Sequence, residues 1–296
     1  MFTIFMAGSS TANGQGQTPG YNLGRGTPIK DPTLPKGQNY RSLFPSIARE
    51  CGKRGINIAV QNHAVGATAL AKDWCGLMIP WFRGLLAKSP IYVISNGGVW
   101  KANTGGSVST VAPSGTSNIT GSDGVPWIYI RPATSADSTR RVLTHNEPLF
   151  DPNGLVKSFG NAAPATTGKK ILIIIFGTTA ASNIQDGFEI ADDFRAGHIS
   201  VTNYALSVGF DEIYFGYNAF YAPVESISPD LVAAQNVALA HFSGNPKVKR
   251  GVNFREEMGK LPTTTDNRVI GLHDGLHMTD AAYEKAGQLW AECILS

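Results

Sequence analysis

The sequence predicts an α/β protein: a three-layer α/β/α sandwich around a mainly parallel sheet, with a small all-β insertion. Three observations predict it. Short apolar runs alternate along the chain with segments whose apolar residues recur at helical spacing, the pattern of strand–helix–strand units. One run, Lys170-Ile171-Leu172-Ile173-Ile174-Ile175-Phe176, is continuous and β-branched, as a strand covered on both faces requires. Between Ile91 and Pro132 the alternation lapses into β-like pieces set among Gly, Ser, Thr and Asn with almost no charge. The chain therefore divides into an α/β unit over residues 1–90 and 133–296 and an inserted β module over 91–132.

In order, Phe2-Thr3-Ile4-Phe5-Met6 reads as a buried strand that meets a tight turn at Ala7-Gly8-Ser9-Ser10-Thr11. Residues 12–38 are rich in Gly, Pro, Asn and Gln without periodicity, so they read as a long loop. Leu43, Phe44, Ile47, Ala48 and Cys51 form a helical stripe in which Pro45 fits only the first turn. Ile56-Asn57-Ile58-Ala59-Val60 is the next strand, and a helix is expected over about 78–88. Strand-like pieces follow at Ile91 to Ile94 and Trp127 to Ile130, and residues 133–169 read as irregular. After the Lys170–Phe176 strand, Ala191, Phe194, His198, Val201, Ala205 and Val208 mark a helix. Glu212 to Gly216 is a strand, Ser228-Pro229 opens a helix, and a last strand lies near 247–254. The final helix has Thr279 as its N-cap, Asp280 in its first turn, and Tyr283, Ala286, Trp290 and Cys293 on one face.

Bulk properties exclude several classes. The chain has 296 residues, 42% hydrophobic and only 16% charged, which suits a folded core with a lightly charged surface. A net charge of +3 is too small for a nucleic-acid surface. No apolar run approaches a membrane span, and the amino terminus lacks a leader's basic start and cleavage site, so no membrane insertion is expected. A chain that opens directly on a strand reads as a piece of something longer. Cys51, Cys75 and Cys293 are odd in number and scattered, against a disulfide framework or a zinc site, and Cys51 and Cys293 fall on apolar helix faces. No metal or other cofactor is expected.

In a parallel sheet, ligands bind beyond the carboxyl ends of the strands. Ser10, Gly66 and Gly177 to Thr179 directly follow strands, and Asp274-Gly275-Leu276-His277 precedes the last helix. A serine hydrolase needs a hydroxyl nucleophile, a base, a group that orients the base, and donors for the oxyanion. Ser10 is the candidate nucleophile, His277 the base and Asp274 its orienter, with the backbone N–H groups of Ser10 and Gly66 as oxyanion donors. His273 is the rival base if the Asp-x-x-His register is shifted, and His63 reads as a loop or strand-end histidine.

This set resembles the SGNH (GDSL-type) hydrolase superfamily, in its carbohydrate-esterase branch. Gly8-Ser9-Ser10 stands where that family has Gly-Asp-Ser or Gly-Gln-Ser, and Asn62 through Gly66 resembles its second block. Ala64-Val65-Gly66-Ala67-Thr68 is similar to the Gly-Gly-Thr stretch of sialate-type acetylesterases, and Asp274 to His277 with Thr279 is the closest match. The resemblance implies a flavodoxin-like fold and a metal-independent O-acyl esterase. Its third block departs: the family's Gly-x-Asn-Asp is replaced by Gly177-Thr178-Thr179-Ala180, which leaves Thr179, Asn183 or Asn218 as the third oxyanion donor. Trp100 to Gly106, Ala112 to Thr116, Ser122 to Gly124 and Trp127 to Tyr129 resemble small β modules of bacteriophage tail proteins, which are similar to carbohydrate-binding modules. That resemblance implies Trp100 and Trp127 as sugar-stacking residues, a polysaccharide as substrate, and an extracellular or virion-tail appendage, which in such proteins is often a homotrimer. Read from the residues alone, Trp100 and Trp127 serve equally well as the insertion's own minimal core. The expected reaction is removal of O-acetyl groups from a cell-surface polysaccharide. A lipase or thioesterase of the same superfamily, or a non-catalytic glycan-binding protein, are the alternatives.

Overall fold

The computed structural model describes residues 2–13, 43–88, 92–102, 105–151, 155–218, 226–258, 278 and 280–296. The chain begins with β1 (Phe2–Gly8), the single turn α1 (Ser10–Asn13), α2 (Leu43–Lys53), β2 (Ile58–Asn62) and a π-helical turn over Leu70–Trp74. Short strands follow: β3 (Leu77–Pro80), β4 (Leu85–Lys88), β5 (Tyr92–Ser95), β6 (Gly98–Ala102), β7 (Gly105–Ser109), β8 (Ile119–Thr120), β9 (Pro126–Pro132) and β10 (Arg141–Val142). The alternation then resumes with α3 (Leu155–Ala162), β11 (Lys169–Gly177), α4 (Thr178–Gln185), α5 (Ala191–Ser207), β12 (Glu212–Asn218), α6 (Ser228–His241), β13 (Val248–Asn253), α7 (Phe254–Met258) and α8 (Asp280–Leu295).

Five strands form one parallel sheet in the order β13-β12-β11-β1-β2. Its central strands are buried on both sides, and the side-chain period of two sorts them between two cores. Ile4, Met6, Ile171, Ile173, Ile175 and Tyr214 share one core with α2 and α8. Phe5, Ala7, Leu172, Ile174, Phe176, Ile213, Phe215 and Tyr217 share the other with α3, α5, α6 and the π-helical turn. Each buried Ile, Leu or Phe contributes about 1.5–3 kcal/mol, which is why this run defines the middle of the molecule. Trp290 of α8 lies over β12 and β13 because both strands place glycine beneath it. A Cβ on Gly216 would sit 2.6 Å from the Trp290 ring, and one on Gly251 would overlap it.

A second, six-stranded sheet has the order β10-β3-β5-β6-β9-β8, and β4 pairs with β7 as an antiparallel ribbon. Its strands start at Leu77 and end at Val142, so they reach beyond residues 91–132 on both sides. Its apolar face is part of the core beneath the main sheet: Val93, Val99, Trp100 and Trp127 belong to the same cluster as Leu172 and Phe194.

Two expectations are corrected. The helix over 78–88 is replaced by β3 and β4. Leu77, Met78 and Ile79 are consecutive and all buried, and β3 pairs in parallel with β5 from Met78↔Tyr92 to Pro80↔Ile94. Gly84 at φ 88° then turns the chain. The helical spacing of Met78, Phe82 and Leu85 is coincidental. Within 133–169, the irregular reading misses α3, whose Val156, Phe159 and Gly160 face the core.

Candidate active site

The carboxyl ends of β1, β2 and β11 lie side by side, and the sequence shows why they meet there. Gly8 ends β1 opposite Ile175 of β11. A Cβ at Gly8 would lie 2.5 Å from Ala12 Cβ and 2.7 Å from the Ile175 carbonyl oxygen, so only glycine lets the chain reverse into α1 at this point. Ser9 and Ser10 follow immediately and are both buried. Ser10 is the first residue of α1, at the edge where a parallel sheet presents its ligand crevice.

The second stretch continues the β1 ladder past the end of β2. The His63 N–H donates to the Met6 carbonyl at 2.9 Å and the Val65 N–H to the Gly8 carbonyl at 3.0 Å. Gly66 is therefore the residue after one bonded directly to the turn that carries Ser10. The Asn62 side chain accepts from the Ala64 N–H at 3.1 Å, and the Thr68 hydroxyl donates to the Val65 carbonyl at 2.7 Å. Ala67 holds φ at 60°, a left-handed conformation that costs a residue with a Cβ about 1–2 kcal/mol. Strain of this kind gathers where surrounding structure imposes a geometry.

The third stretch enters α4 directly. Thr178 is buried and Thr179 half-buried in its first turn. Asn183 is buried five residues further, about 8 Å along the helix axis from Thr178. Its carbonyl accepts from the Phe188 and Glu189 N–H groups, and its side-chain Nδ2 is buried without a partner among the described residues. Asn218 is the last residue of β12, opposite Gly177. Asp274, His277 and the rival His273 lie outside the described residues, as does Thr279. Met278 is described and belongs to the buried cluster that also holds Ala12 and Ala64.

His63 has structural partners. Its ring stacks on Phe5 with centroids 5.9 Å apart, and Nδ1 lies 3.0 Å from the Ser158 hydroxyl. Burial lowers its pKa, which favours a neutral imidazole. Trp100 and Trp127 are corrected. Their exposures are 0% and 1%, so neither offers a face to a sugar ring; they fill the core under the second sheet. The Trp100 indole N–H donates to the Ser95 carbonyl at 3.0 Å, and the ring meets Tyr129 edge to face.

Sequence reasoning missed a group of buried charges beside the second stretch. Lys72 and Asp73, in the π-helical turn, are 4% and 3% exposed and 3.4 Å apart. Asp73 also accepts from the Ala69 N–H at 2.7 Å, and Glu189 accepts from the Lys72 N–H at 3.0 Å. Burial, reinforced by Asp73, pushes the Glu189 carboxyl up to about 8. The available signal was a charged pair inside the apolar run Leu70-Ala71-Lys72-Asp73-Trp74. Among the described residues, no group of three or more His, Cys, Asp and Glu side chains is arranged to hold a metal ion, and no helix is long and apolar enough to cross a membrane.

No family model matches the sequence, and no curated protein matches it. Solved structures do. A protein from Arabidopsis thaliana aligns at 11% identity with a TM-score of 0.46, over 99% of this chain and 97% of that one. A family two carbohydrate esterase from Clostridium thermocellum, in complex with cellohexaose, aligns at 11% identity and TM-score 0.43, over 98% of this chain and 62% of that one. An acetyl xylan esterase from the rumen bacterium Butyrivibrio proteoclasticus aligns at 10% identity and TM-score 0.39, over 99% of this chain and 62% of that one. This chain thus spans less than two thirds of either esterase. The parallel order β2-β1-β11-β12-β13, with helices on both faces, is the flavodoxin-like three-layer arrangement that the sequence predicts.

Proposed function

We propose that the protein is a serine esterase that removes O-acyl groups, chiefly O-acetyl groups, from a cell-surface polysaccharide. The observation that carries the reading is the pairing of the two loop stretches, with the Val65 N–H on the Gly8 carbonyl, which sets the Ser10 turn beside Gly66. Met278, the neighbour of His277, shares a buried cluster with Ala12 and Ala64, which favours approach of the last stretch to the same edge.

In this reading the Ser10 hydroxyl attacks the ester carbonyl carbon and His277 takes its proton, while Asp274 holds the imidazole tautomer. The tetrahedral oxyanion takes hydrogen bonds from the Ser10 and Gly66 N–H groups and from a third donor, Thr179, Asn183 or Asn218. Collapse breaks the bond to the sugar oxygen, which receives the proton from His277 and leaves as the sugar hydroxyl. Water then attacks acyl-Ser10, gives a proton to His277, and that proton returns to Ser10 as acetate departs. No metal enters these steps. The setting that goes with this reading is the cell exterior or a virion tail.

Hydrolysis of p-nitrophenyl acetate by the wild type and by Ser10→Ala tests the nucleophile, with the variant expected to lose nearly all activity. Equal rates would overturn it. Acetate release from an O-acetylated polysaccharide, compared with hydrolysis of octanoyl esters, tests the substrate class; a clear preference for the long chain would point to a lipase instead.

A further inference from the structure

Resting on the reading of Gly66 as an oxyanion donor, we infer that Thr68 and Trp74 are positioning residues that aim the Gly66 N–H. The Val65 carbonyl and the Gly66 N–H belong to one peptide unit. In a trans peptide they are rigidly coplanar and point in opposite directions, so holding the oxygen fixes the direction of the N–H. The Thr68 hydroxyl holds that oxygen at 2.7 Å. The Trp74 indole N–H in turn donates to the Thr68 oxygen at 2.9 Å, which leaves the Thr68 proton free to point at Val65. The series runs from indole to hydroxyl to peptide, and each bond polarises the next, which makes the Gly66 N–H a stronger donor.

Both ends of this series are anchored. Trp74 is fully buried between Phe159 and Phe176, with ring centroids 6.4 Å and 5.3 Å away. The Val65 N–H is tied to Gly8 at 3.0 Å. The turn that presents Trp74 is itself closed by Asp73 on the Ala69 N–H. The Gly66 peptide is thus clamped between the core and the Ser10 turn. A donor that needs no reorientation when charge develops is what transition-state stabilisation requires.

Steady-state kinetics on p-nitrophenyl acetate test this with Thr68→Val, Thr68→Ser and Ser10→Ala. Deleting an oxyanion donor outright lowers kcat by about 10²–10³, and a residue acting through that donor is expected to give about tenfold. Thr68→Val should lower kcat about tenfold at unchanged KM and weaken a boronate transition-state analogue by the same factor, and Thr68→Ser should restore both. If Thr68→Val does not fold, Thr68→Cys, of similar size and a weak donor, is read in its place. Wild-type kcat in Thr68→Val, a change confined to KM, or no rescue by serine would overturn the positioning role while Ser10-dependent activity stands. Activity that survives Ser10→Ala would instead remove the esterase reading beneath it.

Discussion

Replacing Gly8 with alanine tests how narrowly the turn carrying Ser10 is built. The added methyl would meet Ala12 Cβ at 2.5 Å and the Ile175 carbonyl oxygen at 2.7 Å. Ordinary contacts to a methyl are about 3.5–4.0 Å, so α1 and β11 must separate by about 1 Å. Neither obstacle is the end of a flexible side chain: one is a backbone atom, the other a Cβ fixed by its backbone. Overpacking of this sort costs about 1–3 kcal/mol, and at about 2–4 °C per kcal/mol the melting temperature should fall by about 2–12 °C. Ser10 lies between residues 8 and 12 and must move with them. A displacement near 1 Å at a catalytic group costs about 10²-fold in rate, a larger effect than the loss of stability implies. Gly209→Ala is the control. Gly209 has φ 85° in the turn before β12, at the opposite edge of the sheet, so it should lose comparable stability with no change in kcat. Calorimetry and p-nitrophenyl acetate kinetics on both variants decide the matter. Gly8→Ala with wild-type melting and wild-type kcat would refute the steric argument.

Three further outcomes follow from buried charge and burial. Glu189 holds its proton to about 8 when folded against an ordinary value of 4.5, so the folded chain binds the extra proton between those values and stability declines as pH rises through them. Glu189→Gln keeps an acceptor for the Lys72 N–H and should flatten that decline in urea titrations; an unchanged pH profile would contradict it. His198 is pulled down to about 4 from 6.5 by burial, so the unfolded chain binds the extra proton between those values, and its contribution, full above 6.5, is lost as pH falls toward 4. Its ring resonances in the folded protein should show no protonation at pH 6. Asp137, fully buried, accepts from Arg131 at 2.6 and 3.0 Å, from Arg141 at 2.9 Å and from Thr134, and these partners hold its carboxyl well below the usual range. Asp137→Ala should cost about 1–3 kcal/mol by leaving the Thr134 N–H and two half-buried guanidinium groups without their acceptor, and a denaturation midpoint equal to wild type would refute that.

What the sequence discloses and what it hides divide along physical lines. The strand Lys169–Gly177 and the helix Asp280–Leu295 are legible because period and burial agree over many residues. The segment 77–88 is not, because short strands separated by Trp81 to Gly84 leave apolar residues at helical spacing by chance. Ser10 and Gly66 are legible as residues that follow strands, and the register of β1 with β2 brings their stretches together. Trp100 and Trp127 mislead because an aromatic residue in a polar, glycine-rich stretch looks the same whether it faces water or supplies the local core. Lys72, Asp73 and Glu189 are hidden for another reason: Lys72 and Glu189 are 117 residues apart, and nothing local marks that pairing.

The continuity of apolar packing from Trp100 and Trp127 to Leu172 and Phe194 decides how this molecule comes apart. Excising residues 75–143 would strip that shared cluster of the apolar side chains the smaller sheet brings to it, so the smaller sheet is not a cassette to be trimmed or grafted elsewhere. Heat should melt both sheets in one step, and any change that loosens the smaller sheet will be felt at Phe176, one residue from the junction where β11 passes into α4.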